Sequence, residues 1–201
     1  MTTVLCATLG QRQPTGLHYL GQYRLLTNQA KPWAVAANAL LAEAAALGGP
    51  ALFLDDDIEL TRHFRDGLYG VYGDVFGFTL VTGDAVTSAG VGATVLADNS
   101  VVFQPFTIPT ILAPWRCAHV TASCMWLSER VLREVRFPEW PGQHHEDVAF
   151  TFDAWLHGLP VVYVPGLVYH HMHATAGVGA TKGADPAFAA DRAVNAYHLG
   201  E

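Results

Sequence analysis

Three consecutive aspartates, Asp55, Asp56 and Asp57, follow directly on the apolar run Ala51-Leu52-Phe53-Leu54. Carboxylates packed so closely repel one another and do nothing for folding by themselves. A divalent cation reverses that sign, because hard oxygen ligands suit Mg2+ or Mn2+. In extended backbone successive side chains alternate, so Asp55 and Asp57 are expected to share one side and Asp56 to take the other. That leaves two candidates for metal or sugar contact. A solvated acidic turn after a strand is the competing reading of the same residues. Glu146 and Asp147 open a second segment of interest, where acids suit the positive end of a helix dipole whether or not they react. His170, His171 and His173 crowd the end of a late apolar run. One imidazole with one aspartate and phosphate oxygens fits a six-coordinate Mn2+ shell. The three imidazoles with Asp57 would equally build a zinc site, and the chemistry would then be hydrolytic.

Elements are needed to hold these groups. Ala51 to Leu54 has the pattern of a strand buried on both faces of a largely parallel sheet, and ligands of open α/β sheets sit at the carboxyl ends of such strands. Thr3 to Thr8 reads as a first strand and Tyr23 to Thr27 as a second, with a loop or short helical turn over Gln11 to Gly21. Lys31-Pro32 opens the clearest helix, with proline at a first helical position and Gly48-Gly49-Pro50 closing it. Trp33, Ala37, Leu40, Leu41, Ala44 and Leu47 share its apolar face. The resulting strand–helix–strand unit predicts a parallel pair.

Thr61 to Tyr69 is expected to be a short helix, and Gly70 to Val81 and Ala93 to Phe103 to be strand-rich, with a hairpin turn at Asp98-Asn99. His119 to Leu127 suits a strand, and Ser128 is the expected N-cap of a helix to Val135 that Phe137-Pro138 ends. The next helix spans Glu146 to His157, buries Val148, Phe152, Trp155 and Leu156, and stops at Gly158. Val161 to Val164 reads as a buried strand, with Pro165-Gly166 turning the chain into Leu167 to His173. Ala174 to Asp185 is glycine-rich with Lys182 as its one base, either a lid or a plain connector, and Pro186 to Leu199 reads as a terminal helix.

Composition narrows the function classes. The chain has 201 residues, 51% of them apolar and 14% charged, a globular composition with no linker, so residues 1–201 are expected to form one domain. Its 11 basic against 18 acidic residues give a formal charge of −7, which opposes a broad nucleic-acid or anionic-membrane surface. Cys6, Cys117 and Cys124 are odd in number and not at zinc-like spacing, the usage of reduced thiols in a cytoplasmic protein. Met1 leads into polar threonines with no basic and apolar leader, so no secretory signal is expected, and no apolar run approaches the ~20 residues of a membrane span.

The order of the signals adds to this. An apolar strand ending in D-x-D is followed by TASCMWLSERVLREVRFPE and then by HEDVAFTFDAWLHGLPVVYVPGLVYHH. This arrangement resembles the nucleotide-sugar-dependent glycosyltransferases of the GT-A fold, most closely the large inverting family 2 type. The segment NQAKPWAVAANALLAEA is similar to that family's helix before the D-x-D strand, and the resemblance runs from Ala34 to about His173. The family's acidic D-D-G-S segment has no counterpart after the second strand.

The resemblance implies a Rossmann-like α/β fold with a mixed, mostly parallel sheet flanked by helices. It also implies a Mn2+ or Mg2+ cofactor, a UDP-, dTDP- or GDP-sugar donor and inverting transfer to an acceptor hydroxyl. Under it Asp57 is the first metal ligand, His170 completes the shell with His171 next in line, and Asp147 is the base with Glu146 orienting acceptor hydroxyls. Thr8, Asp55 and Asp56 fall to the donor, Asp55 also being the second choice of metal ligand, and the composition of the glycine-rich stretch, read as a lid, adds Lys182 at the diphosphate. Trp140, between Glu139 and Pro141, is the stacking platform for an acceptor, with His145 beside it. Two other readings stand next to this one: a metal-dependent hydrolase or pyrophosphatase on the Asp/His cluster, and a non-catalytic nucleotide-sugar-binding module. Oligomeric state is left open, a homo-oligomer included.

Overall fold

Alternation along the first strand sets the two sides of the core. In the computed structural model, β1 (Thr2–Ala7) sends Val4 to one face of a sheet and Leu5 and Ala7 to the other, all buried. The structure describes residues 1–8, 12–30, 32–65, 68, 70–82, 85–88, 91–95, 101–105, 114–139 and 146–170, with main chain alone for 85–88, 91–95, 101–105, 167 and 170. After β1 come β2 (Tyr23–Asn28), α1 (Trp33–Leu47), β3 (Ala51–Leu54), β4 (Ile58–Leu60), β5 (Val75–Thr82) and β6 (Ala85–Ser88). They are followed by β7 (Val91–Val95), β8 (Val101–Pro105), β9 (Trp115–Arg116), β10 (Cys124–Leu127), α2 (Glu129–Glu134), α3 (Glu146–Leu156) and β11 (Val161–His170).

The main sheet has the order β2-β1-β3-β10-β5-β11-β4, with β6 on β5 and β9 on β11. β1 pairs in parallel with β2 and β3, as the strand–helix–strand pattern predicts, and β5 pairs in parallel with β11. β10 and β4 run against their neighbours, so β1, β2, β3, β5 and β11 share one direction. This is the expected mixed α/β class with a mostly parallel sheet flanked by helices. β7 and β8 form the expected hairpin, and its Asp98-Asn99 turn lies outside the described residues.

The side chains of α1, α2 and α3 join the Leu5–Phe53 side of the sheet. Small residues let α1 lie close: Ala34, Ala36, Ala37, Leu40, Leu41 and Ala44 are all buried, whereas Leu47 is 44% exposed and marks where the apolar face ends. Pro32 is the residue before α1 rather than its first helical residue, with φ −64° and ψ 164°. It has no N–H to leave unsatisfied there, so the shift by one position costs nothing. Asn38 of α1 grips the chain beyond α2 with both ends of its amide: Nδ2 donates to the Phe137 carbonyl at 2.8 Å, and Oδ1 accepts from Phe137 N at 2.8 Å. Ser128 caps α2 as expected, its Oγ accepting from Val131 N at 3.3 Å and donating to buried Asp74 at 2.6 Å.

Four expectations are corrected. Residues 61–65 and 68 form turns instead of a helix, closed by Phe64 N–Thr61 O and Leu68 N–Arg65 O bonds of the i→i+3 kind. Phe64 is the one fully buried side chain there, which anchors a turn but gives a helix no continuous face. Of His119 to Leu127, only Cys124 to Leu127 is strand, because the Thr121 hydroxyl accepts from Ser123 N and draws the local backbone away from the ladder.

Pro165-Gly166 does not end a strand. β11 is continuous through it, with a register shift between Val164 and Leu167 that accommodates the proline. A Cβ on Gly166 would stand 2.2 Å from the Phe64 carbonyl oxygen, so only glycine permits this approach. Finally, α3 is rotated from its expected orientation. Phe150 stacks on Phe137 at 4.1 Å and is buried with Thr151, Phe152 and Ala154, while Trp155 and Leu156 are exposed.

Candidate functional site

The aspartates sit where the sheet strand β3 stops. Asp55 N donates to the Ser123 carbonyl at 3.0 Å, the chain turns through an Ile58 N–Asp55 O contact of 3.4 Å, and it returns as β4. β4 is held on two sides. It pairs with β11, and Thr15 N donates to Ile58 O at 2.9 Å while Leu60 N donates to Thr15 O at 3.1 Å. Gly16 makes the second contact feasible: its φ is +70° and a Cβ would lie 2.1 Å from the Leu60 oxygen. The alternation expected for Asp55 to Asp57 therefore fails, because a turn and not extended backbone carries them. Asp56 is instead defined by its partner, accepting from the Thr8 hydroxyl at 2.6 Å across from the end of β1.

The carboxylates act on their surroundings. Buried Cys6 on β1 has its thiol pushed up to about 12, first by burial and then by the charges of Asp56, Asp55 and Asp57. Cys124, flanking Leu54 from the other side, is raised by burial and by Asp55. A thiol whose folded pKa exceeds its ordinary 9.0 is neutral in both states at lower pH, so its contribution is intact there. Above pH 9 the unfolded chain ionises first and stability falls, by up to about 1.4 kcal/mol per pH unit until the folded thiol titrates. Urea unfolding between pH 8 and 11 with chelator present should show a shallower alkaline decline for Cys6→Ala than for the parent. An unchanged slope would refute the shift.

Asp147 lies in the first turn of α3, and its carboxylate is fixed by main chain. Oδ1 accepts from Val148 N at 2.9 Å, and Oδ2 accepts a longer bond, 3.4 Å, from Ala122 N. The next residue, Ser123, offers the carbonyl that receives Asp55 N–H. One dipeptide thus joins the aspartate turn to the head of α3. Glu146 is buried beside Asp147, at 8% exposure, whereas the Asp147 side chain is 29% exposed.

β11 brings a third segment to the same end of the sheet: its last residue, His170, stands opposite Ile58, the neighbour of Asp57. Thr8, Asp55, Asp56, Asp57, Asp147 and the main chain of His170 are therefore gathered at the carboxyl ends of β1, β3 and β11. Trp140, His145, His171 and Lys182 lie outside the described residues.

Two residues next to Asp147 have no counterpart in the sequence reading. His119 places Nε2 4.0 Å from Asp147 Oδ2, and its Nδ1 is 2.8 Å from the hydroxyl of Thr151. Thr151 stands four residues after Asp147, a same-face spacing on a helix that would have marked it. Nothing in the sequence marks His119.

The donor set at the turn is all carboxylate oxygen, the chemistry of a hard divalent cation. Among the described residues no three His, Cys, Asp or Glu side chains form a ready-made metal cage, and no helix is long and apolar enough to cross a membrane.

No protein-family model and no curated protein sequence matches the chain. Solved structures do. The A197 protein from STIV aligns over 86% of this chain and 87% of its own, with a TM-score of 0.54 at 14% identity. GalNAc-T7, crystallised with UDP, GalNAc and Mn2+, aligns over 89% of this chain and 45% of its own, with a TM-score of 0.54 at 13% identity. The likeness is one of fold, and this chain spans less than half the length of GalNAc-T7.

Proposed function

We propose that this chain is a metal-dependent glycosyltransferase, a single domain that moves a sugar from a nucleoside diphosphate to an acceptor hydroxyl with inversion. The observation that carries the reading is the Ala122–Ser123 dipeptide, bonded to Asp147 on one side and to Asp55 on the other. It sets an acidic turn fit for a donor's cation next to a fixed carboxylate fit for an acceptor's proton. The fold it shares with GalNAc-T7, whose crystals hold UDP, GalNAc and Mn2+, agrees with a nucleotide-sugar donor.

The residues divide the work as follows. Asp147 takes the acceptor's proton, its carboxylate already oriented by two N–H donors. Glu146 orients acceptor hydroxyls, and Trp140 and His145 contact the acceptor. Asp57, with Asp55 and His170 or His171, would hold Mn2+ or Mg2+, which when bound stabilises charge on the departing diphosphate. Asp56, tied to Thr8, keeps the turn's shape and leaves the cation to its neighbours; both face the donor. Lys182 approaches the diphosphate from the glycine-rich segment.

A thermal-shift panel of UDP, dTDP and GDP with and without Mn2+ tests this directly. One nucleotide at about 100 times its Kd should stabilise the chain by about 2.7 kcal/mol only when the metal is present. Asp57→Ala should remove that metal-dependent part. Stabilisation by Zn2+ with no nucleotide effect would favour the hydrolase, and no shift in any well would reject the transferase.

A further inference from the structure

We infer that Phe137, locked by Asn38, is a positioning residue that holds Asp147 at a set spacing from the aspartate turn through the core, a role that rests on the reading of Asp147 as the base. Phe53 comes two residues before Asp55, and Phe150 three residues after Asp147. The Phe137 ring touches both, its centroid 5.6 Å from that of Phe53 and 4.1 Å from that of Phe150, and all three rings are buried. Phe137 and Phe150 stack with their planes 14° apart. Trp33 closes the cluster, edge to face with Phe53 at 5.6 Å and with Phe137 at 4.9 Å. A close-packed interior transmits displacement, so the first turns of α3 follow wherever Phe137 goes.

Apolar contact alone lets a ring slide, and Phe137 lies outside every helix and strand, with no ladder to fix it. Asn38 supplies that register. Its amide donates to the Phe137 carbonyl and accepts from the Phe137 N–H, both at 2.8 Å, as a neighbouring strand would. Pro138 restricts Phe137 to extended backbone. Just upstream, Arg136 Nη1 donates to the carbonyls of Leu132 at 2.9 Å and Val135 at 2.6 Å, which ties off the end of α2.

Asn38 belongs to α1, and α1 packs its alanines and leucines into the same cluster as Phe53. The clamp is therefore referenced to the strand that ends in the aspartates. An asparagine within a helix tends to compete with the helix's own bonds. Here it makes two directional ones across to another segment, the kind of contact that fixes one position where apolar packing tolerates several. The Ala122–Ser123 dipeptide holds the Asp147 carboxylate, and the Asn38–Phe137–Phe150 chain places the helix that carries it.

The test uses the full chain with Mn2+ and a panel of UDP-, dTDP- and GDP-sugars, reading nucleotide release with water and methyl glycosides as acceptors. Asn38→Ala should lower kcat about 100-fold, the cost of a base misplaced by about 1 Å, with the donor KM and the Mn2+-dependent thermal shift unchanged. Phe137→Leu should lower kcat in the same way, and adding Asn38→Ala to it should cost nothing more, because both act through one chain of contacts. Should Phe137→Leu fail to fold, Phe150→Met, which gives up the stacked face, takes its place in both measurements. Gly21→Ala, which strains a turn at the amino end of β2, should keep full turnover well below its melting temperature.

Full activity in Asp147→Asn would end the base and the positioning role with it. A dead Asp147→Asn with an undiminished Asn38→Ala would end the positioning role alone, as would a further loss in the double variant, a lost thermal shift in Asn38→Ala or an equal slowing of Gly21→Ala. In the chain free of metal and nucleotide, amide exchange at Val148 and Phe150 should quicken in Asn38→Ala while that of Phe53 stays as in the parent. Unchanged exchange in α3 overturns the role whatever the turnover.

Discussion

With Asp147 as the base of the proposed transferase, Asp147→Asn is expected to slow sugar transfer by roughly 10²–10⁴-fold and to leave donor binding within about twofold of the parent. The substitution keeps size and planarity, and the amide oxygen still accepts from Val148 N, the partner of Oδ1 at 2.9 Å. The other side of the group becomes an NH2 that faces Ala122 N–H, donor against donor, and it has no basic lone pair for an acceptor's proton. The donor end is untouched, because Asp55 reaches the shared dipeptide through its own N–H and the Ser123 carbonyl. The nucleotide- and Mn2+-dependent thermal shift should therefore persist while nucleotide release in the presence of acceptor disappears. Retention of turnover would show that another group removes the proton.

Gly16→Ala destabilises the fold by about 3 kcal/mol, a drop in Tm of roughly 6–12 °C for a chain of this size. Two penalties add: a left-handed φ of +70° for a residue with a Cβ, and a contact of 2.1 Å with the Leu60 oxygen that no side-chain rotation relieves. Gly21→Ala is the control. Its φ is +73° but nothing lies within 4 Å of its Cβ, so it carries the backbone strain alone, about 1 kcal/mol. Gly16→Ala should also weaken the Mn2+-dependent shift, because displacing β4 moves the end of the aspartate turn. Equal melting of the two variants would refute the clash.

What the sequence made legible follows from how local each signal is. β3 and the aspartates beyond it were readable because four buried residues in a row and three like charges leave few alternatives. α1 was readable from its apolar period, and Ser128 from cap chemistry. The orientation of Asp56 was not, since it depends on Thr8, 48 residues away. The face of α3 was misjudged for the same reason: the Phe150–Phe137 stack decides it, and a single-helix pattern cannot see Phe137. β4 escaped notice because three residues held by Thr15 and β11 carry no period of their own. His119 joins the site through a fully buried threonine on another element, a pairing that only tertiary structure reveals.

The Ala122–Ser123 peptide has a consequence for how such a chain can change. Its hydrogen bonds to Asp147 and to Asp55 come from main-chain atoms, so replacing the side chain of Ala122 or Ser123 does not alter the span between them. That span works as a ruler cut into the backbone. The surfaces around it can change while the spacing between the aspartate turn and Asp147 is inherited unchanged.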